Sequence, residues 1–197
     1  DELFWFDVAN KGAIVSLQNV TQFVDWKERK TPNFKGEYRF SKKFPDTYSK
    51  IKHVFEVTEN EYLEKIINEI QPDVIHSFEM HYCTMPVLNT LNKFKSIPLI
   101  YSCWGSDFFN HLNNKKDLKK IKAVLTRVNY LITDCERDHY LATILHFGGQ
   151  YLGVFPGGGG YEIEKLRTNY INISDRKVIL IKGYENYQGR AINVLKA

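Results

Sequence analysis

Short apolar runs alternate along this chain with stretches in which apolar residues recur every three or four positions. The run Pro98–Cys103 has turn signals on both sides and reads as a strand buried on both faces of a parallel sheet. It leads into Trp104-Gly105-Ser106-Asp107, a small polar turn at the strand's carboxyl end, where open parallel sheets bind their ligands. Before it, Asp73–Phe78 reads as a strand and Met85–Asn92 as a helix. After it, Leu118, Ile121, Val124, Leu125 and Val128 form the stripe of a longer helix, followed by a short strand at Tyr130–Ile132. Two stretches have capping-box spacing, Thr58 with Glu61 and Thr133 with Glu136. The first opens a helix with Tyr62, Leu63, Ile66, Ile67 and Ile70 on one face, ended by Gln71-Pro72. The second opens a helix closed by Gly148-Gly149, ahead of a strand at Tyr151–Phe155 that Pro156 and Gly157–Gly160 stop.

The ends of the chain are less periodic. Residues 1–12 read as the tail of a helix stopped at Lys11-Gly12, with a strand at Ala13–Leu17. Residues 19–50 are polar, aromatic and irregular, a connection long enough to be a functional loop or lid, and Lys52–Val57 returns as a strand. After an amphipathic stretch at 161–172, Lys177–Ile181 reads as a strand, Lys182-Gly183 as a turn and 189–197 as the start of a helix. This alternation predicts an α/β fold, a Rossmann-like doubly wound parallel sheet. A domain of that kind normally opens on a strand, so a first strand is expected upstream of this sequence. The expected domains are 1–172 and, as the opening of a second α/β domain, 173–197.

Composition narrows the classes. With 197 residues, 43% of them hydrophobic, the chain can bury one ample core and is not of the disordered kind. The net charge of +4 is too mild for a nucleic-acid footprint but permits an anionic ligand or an anionic membrane surface. No run approaches the eighteen or so apolar residues of a membrane span, and no signal peptide opens the sequence. Three cysteines without a Cys-x-x-Cys pair (Cys83, Cys103 and Cys135) read as small reduced core residues, so the expected location is cytoplasmic. The lysines of the Lys115–Lys122 helix face read either as a solvated surface or as a peripheral contact with the inner face of a membrane.

Four constellations carry candidate chemistry. His76, Glu79 and His81 lie at the end of a strand, where they can meet a hydroxylated or phosphorylated ligand; on a loop their spacing sets no metal geometry, and no metal site is read there. In the turn after Cys103, Gly105 lets a backbone come close, Ser106 and Asp107 can hydrogen-bond, and an exposed Trp104 can stack on a sugar or a base. Gly157–Gly160, including Gly158 and Gly159, can form an anion nest or a hinge; it is neither a Walker loop nor a dinucleotide fingerprint. Lys182-Gly183 and Arg190 flank a strand-to-helix turn able to neutralise a pyrophosphate.

In order and spacing these stretches resemble the GT-B glycosyltransferases, in the large retaining family that uses nucleotide sugars. Pro72–Ser77 looks like that family's strand entering the acceptor side, and Ile97–Asp107 like the strand ending in a His-Gly-x-Asp type turn. Asn129–Glu136 resembles its strand and capping turn, Val154–Tyr161 its hinge, and Val178–Ala197 the opening of its donor domain. The resemblance covers 1–17 and 70–197, and implies an N-terminal domain whose main donor site lies in a second domain. It implies transfer of a hexosyl unit from a UDP- or GDP-linked sugar to a saccharide or lipid-linked acceptor, with retention and without cofactor or metal, as in bacterial surface polysaccharide or glycolipid synthesis. On this reading His81 and Asp107 are the catalytic candidates. His76, Glu79, Trp104, Gly105 and Ser106 face the acceptor, and Gly158, Gly159, Lys182, Gly183 and Arg190 the donor. Two departures stand out: Trp104 replaces the family's histidine and cannot accept a proton, and Gly183-Tyr184 with Gln188-Gly189 leaves the usual phosphate-binding arginine and lysine out of register. These departures keep open a non-catalytic carbohydrate- or nucleotide-binding subunit, and a sugar-nucleotide epimerase of the same architecture is the third reading.

Overall fold

The structure is a computed structural model that describes residues 2–12, 17–157, 162–166, 171–183 and 190–197. The chain divides into two compact units, Asp1–Gly158 and Gly159–Ala197. The first is built on a parallel sheet of four strands, β3 (Ile75–Phe78), β4 (Leu99–Ser102), β5 (Tyr130–Thr133) and β6 (Gln150–Val154), lying side by side in chain order. Helices connect them: α3 (Glu59–Ile70) leads in, then α4 (Leu88–Lys93), α5 (Lys115–Arg127) and α6 (Glu136–Ile144) cross between strands. This is the mixed α/β architecture of a Rossmann-like domain.

Register decides which face is covered. Ile75 and Ser77 align with Leu99 and Tyr101, and Tyr101 with Leu131, which aligns with Tyr151. Leu99, Tyr101 and Leu131 are wholly buried against Leu63 and Ile67 of α3, Leu91 of α4 and Ile121, Val124 and Leu125 of α5. The other face carries His76, Phe78, Ile100, Ser102 and Ile132 and is more open, so β4 is less fully enclosed than its apolar run predicts. Arg127 closes one edge of the core: its buried guanidinium donates to the carbonyls of Leu91, Phe94 and Ile97, which end α4 and lead into β4. Gly149 matters at the start of β6, where a Cβ would sit 2.4 Å from the Asn129 carbonyl oxygen.

The capping box at Thr58 forms as its spacing predicts. Glu61 N–H donates to Thr58 Oγ1 at 3.2 Å, and Thr58 N–H donates to Glu61 Oε2 at 2.9 Å. The box expected at Thr133 does not form. The strand continues through Thr133, and Cys135 becomes the N-cap of α6 without a side-chain cap bond.

The other departures lie at the two ends. Leu3–Phe6 is a strand, β1, and not a helix tail; it pairs in parallel with β2 (Val20–Phe23). Three large rings in four residues favour the extended backbone, and Phe6 packs among Trp26 and Tyr62, at centroid distances of 5.6 and 5.8 Å. Most of the strand expected at Ala13–Leu17 (residues 13–16) lies outside the described residues. The irregular stretch 19–50 holds β2 and two short helices, α1 (Glu37–Lys43) and α2 (Pro45–Ile51). The expected strand Lys52–Val57 is instead a 3₁₀ turn followed by a lone antiparallel bridge from Glu56 to Arg29. In the second unit α7 (Ile163–Leu166) and α8 (Ala191–Lys196) are helical, and Lys177–Ile181 is not a strand. Three consecutive aliphatic residues there, Val178, Ile179 and Leu180, are more than four-fifths exposed, and among the described residues no strand pairs with them.

Candidate functional site

A hollow of about 290 Å³ lies at the carboxyl ends of β3 to β6, on the open face of the sheet. Its walls are His76, Phe78, Ser102, Trp104, Ile132, Asp134, Phe155 and Gly157, with Cys103 and Pro156 completing the lining. Aromatic surface dominates it, and the polar groups are few and convergent, as in small-molecule sites.

Each wall is set by a strand end. His76 stacks on Phe78 at 4.2 Å between ring centroids, and its Nε2 lies 2.8 Å from Ser102 Oγ on the neighbouring strand. Desolvation of the part of the ring packed there holds its pKa below the ordinary histidine value, so at neutral pH His76 is an uncharged hydrogen-bonding group. Trp104 is 51% exposed. Asp134 reaches across from the end of β5, where its Oδ1 accepts from the Gly157 N–H at 2.6 Å and ties the turn after β6 to the site.

Behind this rim lie residues that do not line the hollow. Asp107 is wholly buried; its Oδ2 accepts from the Trp104 N–H at 2.8 Å and from the Tyr101 hydroxyl. The Asp107 N–H donates back to the Trp104 carbonyl at 2.8 Å, closing the turn. Burial raises the Asp107 pKa against the opposing pull of these hydrogen bonds. His81 lies 3.1 Å through Nε2 from the Asp107 carbonyl oxygen, and its ring packs on His111 at 3.7 Å. His111 in turn pairs with Asp117 at 3.0 Å. Glu79 has φ +59 where β3 gives way to a π-helical turn, and its carboxylate accepts from the N–H groups of His81, Tyr82 and Cys83. Those three bonds offset the strain of a left-handed backbone at a non-glycine residue.

Of the residues singled out in the sequence, His76, Trp104 and Gly157 therefore line the hollow. Gly105 sits just behind the rim, where its added Cβ would meet Arg137, Asp134 and Asp138 at 3.6 to 3.8 Å, and Ser106 is exposed on the same turn. His81, Asp107 and Glu79 are not among the lining residues and hold the turns that carry it. Lys182, Gly183 and Arg190 lie in the second unit, and Gly158 and Gly159 lie outside the described residues. Phe78, Ser102 and Asp134 were missed; their position at strand ends is a signal, but only once register is known. Cys103 is buried and Cys83 half-buried, and burial pushes the Cys83 thiol up to about 11, so neither is a thiolate near neutrality. Among the described residues no three His, Cys, Asp or Glu side chains gather as metal ligands, and no helix is long and apolar enough to cross a membrane.

The fold is a Rossmann-like α/β domain with this hollow at the carboxyl edge of a parallel sheet. Residues 38–135, from α1 to the cap of α6, match the model of a family described as "Glycosyl transferase 4-like". Over those residues the chain is similar to a family of glycosyltransferases. No curated protein and no solved structure matches the chain.

Proposed function

We propose that this protein transfers a sugar from a UDP- or GDP-linked donor to a saccharide or lipid-linked hydroxyl acceptor, and that the hollow at the ends of β3 to β6 is the acceptor-facing wall. The observation that carries the reading is the composition of that hollow, whose lining from His76 to Asp134 falls within the stretch matching the family model while Phe155, Pro156 and Gly157 lie beyond it. Trp104, Phe78 and Phe155 offer flat apolar faces to the C–H side of a sugar ring, and His76, Ser102 and Asp134 offer acceptors and donors for its hydroxyls. The pathway proposed is surface polysaccharide or glycolipid synthesis in a bacterium. Transfer with retention and without metal follows from the resemblance; the departing nucleoside diphosphate would then need cations, for which Lys182 and Arg190 are the proposed source.

The test is release of nucleoside diphosphate from UDP- and GDP-sugars, with and without saccharide acceptors, by the intact protein and by its Trp104→Ala variant. Trp104 is half-exposed, so the variant should keep its melting temperature while kcat/KM for acceptor falls by roughly tenfold. Turnover indifferent to Trp104→Ala would remove the hollow from the reaction. A non-catalytic sugar- or nucleotide-binding subunit is the second reading, favoured by Trp104 and by the placement of His81 and Asp107 behind the rim. Calorimetric binding of a nucleotide sugar with no turnover would decide for it.

A further inference from the structure

The basic charge of this protein is not spread evenly. Between Trp26 and Val54 nine Lys and Arg face three Asp and Glu, a net +6 against +4 for the whole chain. Part of that charge is used internally. Glu37, 5% exposed, takes a two-pronged ion pair from Arg29, with N–O distances of 2.8 and 3.0 Å, and accepts from the Tyr48 hydroxyl and the Phe34 N–H. This hub holds α1 and α2 together over an aromatic cluster of Phe34, Phe40, Phe44, Tyr48 and Phe55. The remaining cations Lys35, Arg39, Lys42, Lys43, Lys50 and Lys52 make no ion pair among the described residues.

What distinguishes this surface from any lysine-rich face is the apolar surface interleaved with the charge. Tyr38 is 74% exposed and Phe44 47%, and Lys42 and Lys43 lie over their rings at 5.7 and 5.4 Å. A hollow of about 640 Å³ opens beside them, lined by Lys35, Tyr38, Arg39 and Tyr48, and its one carboxylate is Glu37, already neutralised by Arg29. Helix α5 provides the contrast: Lys115, Lys116, Lys119, Lys120 and Lys122 line it, with no large exposed apolar side chain among them. Charge alone gives long-range attraction; interfacial binding also needs rings that enter the headgroup layer.

We propose that the α1–α2 surface docks on an anionic lipid bilayer, with Tyr38 and Phe44 entering the interface, the unpaired cations over acidic headgroups, and the Lys35–Arg39 hollow taking a headgroup phosphate. The net charge of the segment is complementary to such a surface, and the exposed rings select a bilayer over a dissolved polyanion. The site is separate from the sheet-edge hollow and does not depend on its reading as a sugar site.

The experiment is cosedimentation of the full chain with phosphatidylcholine vesicles and with vesicles containing about one-third phosphatidylglycerol, over a salt series reaching about 0.5 M. Binding should appear only with the anionic vesicles and fall with salt. Arg39→Glu with Lys42→Glu should weaken it by about fivefold or more for each cation removed. Tyr38→Ser, at a position so exposed that folding is indifferent to it, should weaken vesicle binding while leaving heparin binding unchanged. The matched reversal Lys116→Glu with Lys119→Glu on α5 should have a much smaller effect. Equal losses from the α1 and α5 reversals would overturn the proposal, as would vesicle binding unmoved by Tyr38→Ser or binding to heparin alone.

Discussion

Asp107 does not line the hollow but holds the turn that carries Trp104. One carboxylate oxygen holds the Trp104 N–H and the Tyr101 hydroxyl, and the other, Oδ1, is buried with no hydrogen-bond partner among the described residues. Asp107→Ala leaves a buried N–H and a buried hydroxyl unpaired together, a cost of about 2–5 kcal/mol. Asp107→Asn keeps one oxygen acceptor and should cost less. If Asp107 acts only through the turn, the Ala variant should lose chemical stability and Trp104 placement together, the second read as changed tryptophan fluorescence. A variant that melts like the native chain while turnover vanishes would instead place the carboxylate in the reaction.

At the scale of elements, Gly149 gives the sharpest expectation. A methyl group there would lie 2.4 Å from a backbone oxygen, which cannot move aside as a side chain can. Gly149→Ala should therefore cost at least about 2 kcal/mol in a urea titration, whereas Gly148→Ala, with open space around it, should cost little. The central elements from Glu59 to Val154 were legible because each has a signal of its own: a formed capping box at Thr58, a clean stripe on α5, apolar runs for the strands. The second capping box failed because Thr133 was needed by β5, where its hydroxyl meets that of Tyr151 at 3.0 Å. Leu3–Phe6 failed because four residues cannot separate a period of two from a period of three or four. The short helices α1 and α2 failed because their ordering depends on Glu37, a glutamate that nothing local marks as buried. Likewise, the sequence located the strand ends of the site but not which side chains share its face, since the register that joins Ser102 to Phe78 is a tertiary fact.

For the molecule as a whole, three paired carboxylates set the response to acid. Arg29 holds the Glu37 pKa below the ordinary glutamate value, Lys30 does the same for Glu61, and His111 for Asp117. A carboxyl whose folded pKa is lowered contributes stability above its unfolded pKa and loses it as pH falls through the folded one. Asp107, raised by burial, acts in the opposite sense: it disfavours the folded state as pH rises above its unfolded value. The melting temperature should thus fall as the pH drops below the ordinary carboxylate range. Glu37→Gln should flatten that fall while lowering the plateau near neutrality, and an unchanged acid limb in the variant would remove Glu37 from the account.

The one-way order of β3, β4, β5 and β6 has a further consequence for how the domain comes into being. Each strand pairs with the strand just before it in the chain, across a connection of one helix. No strand of that sheet has to wait for one further along than its successor, so the sheet can grow from one edge as the chain is synthesised. The ligand hollow, built from the ends of all four strands, is then complete only when the last of them arrives.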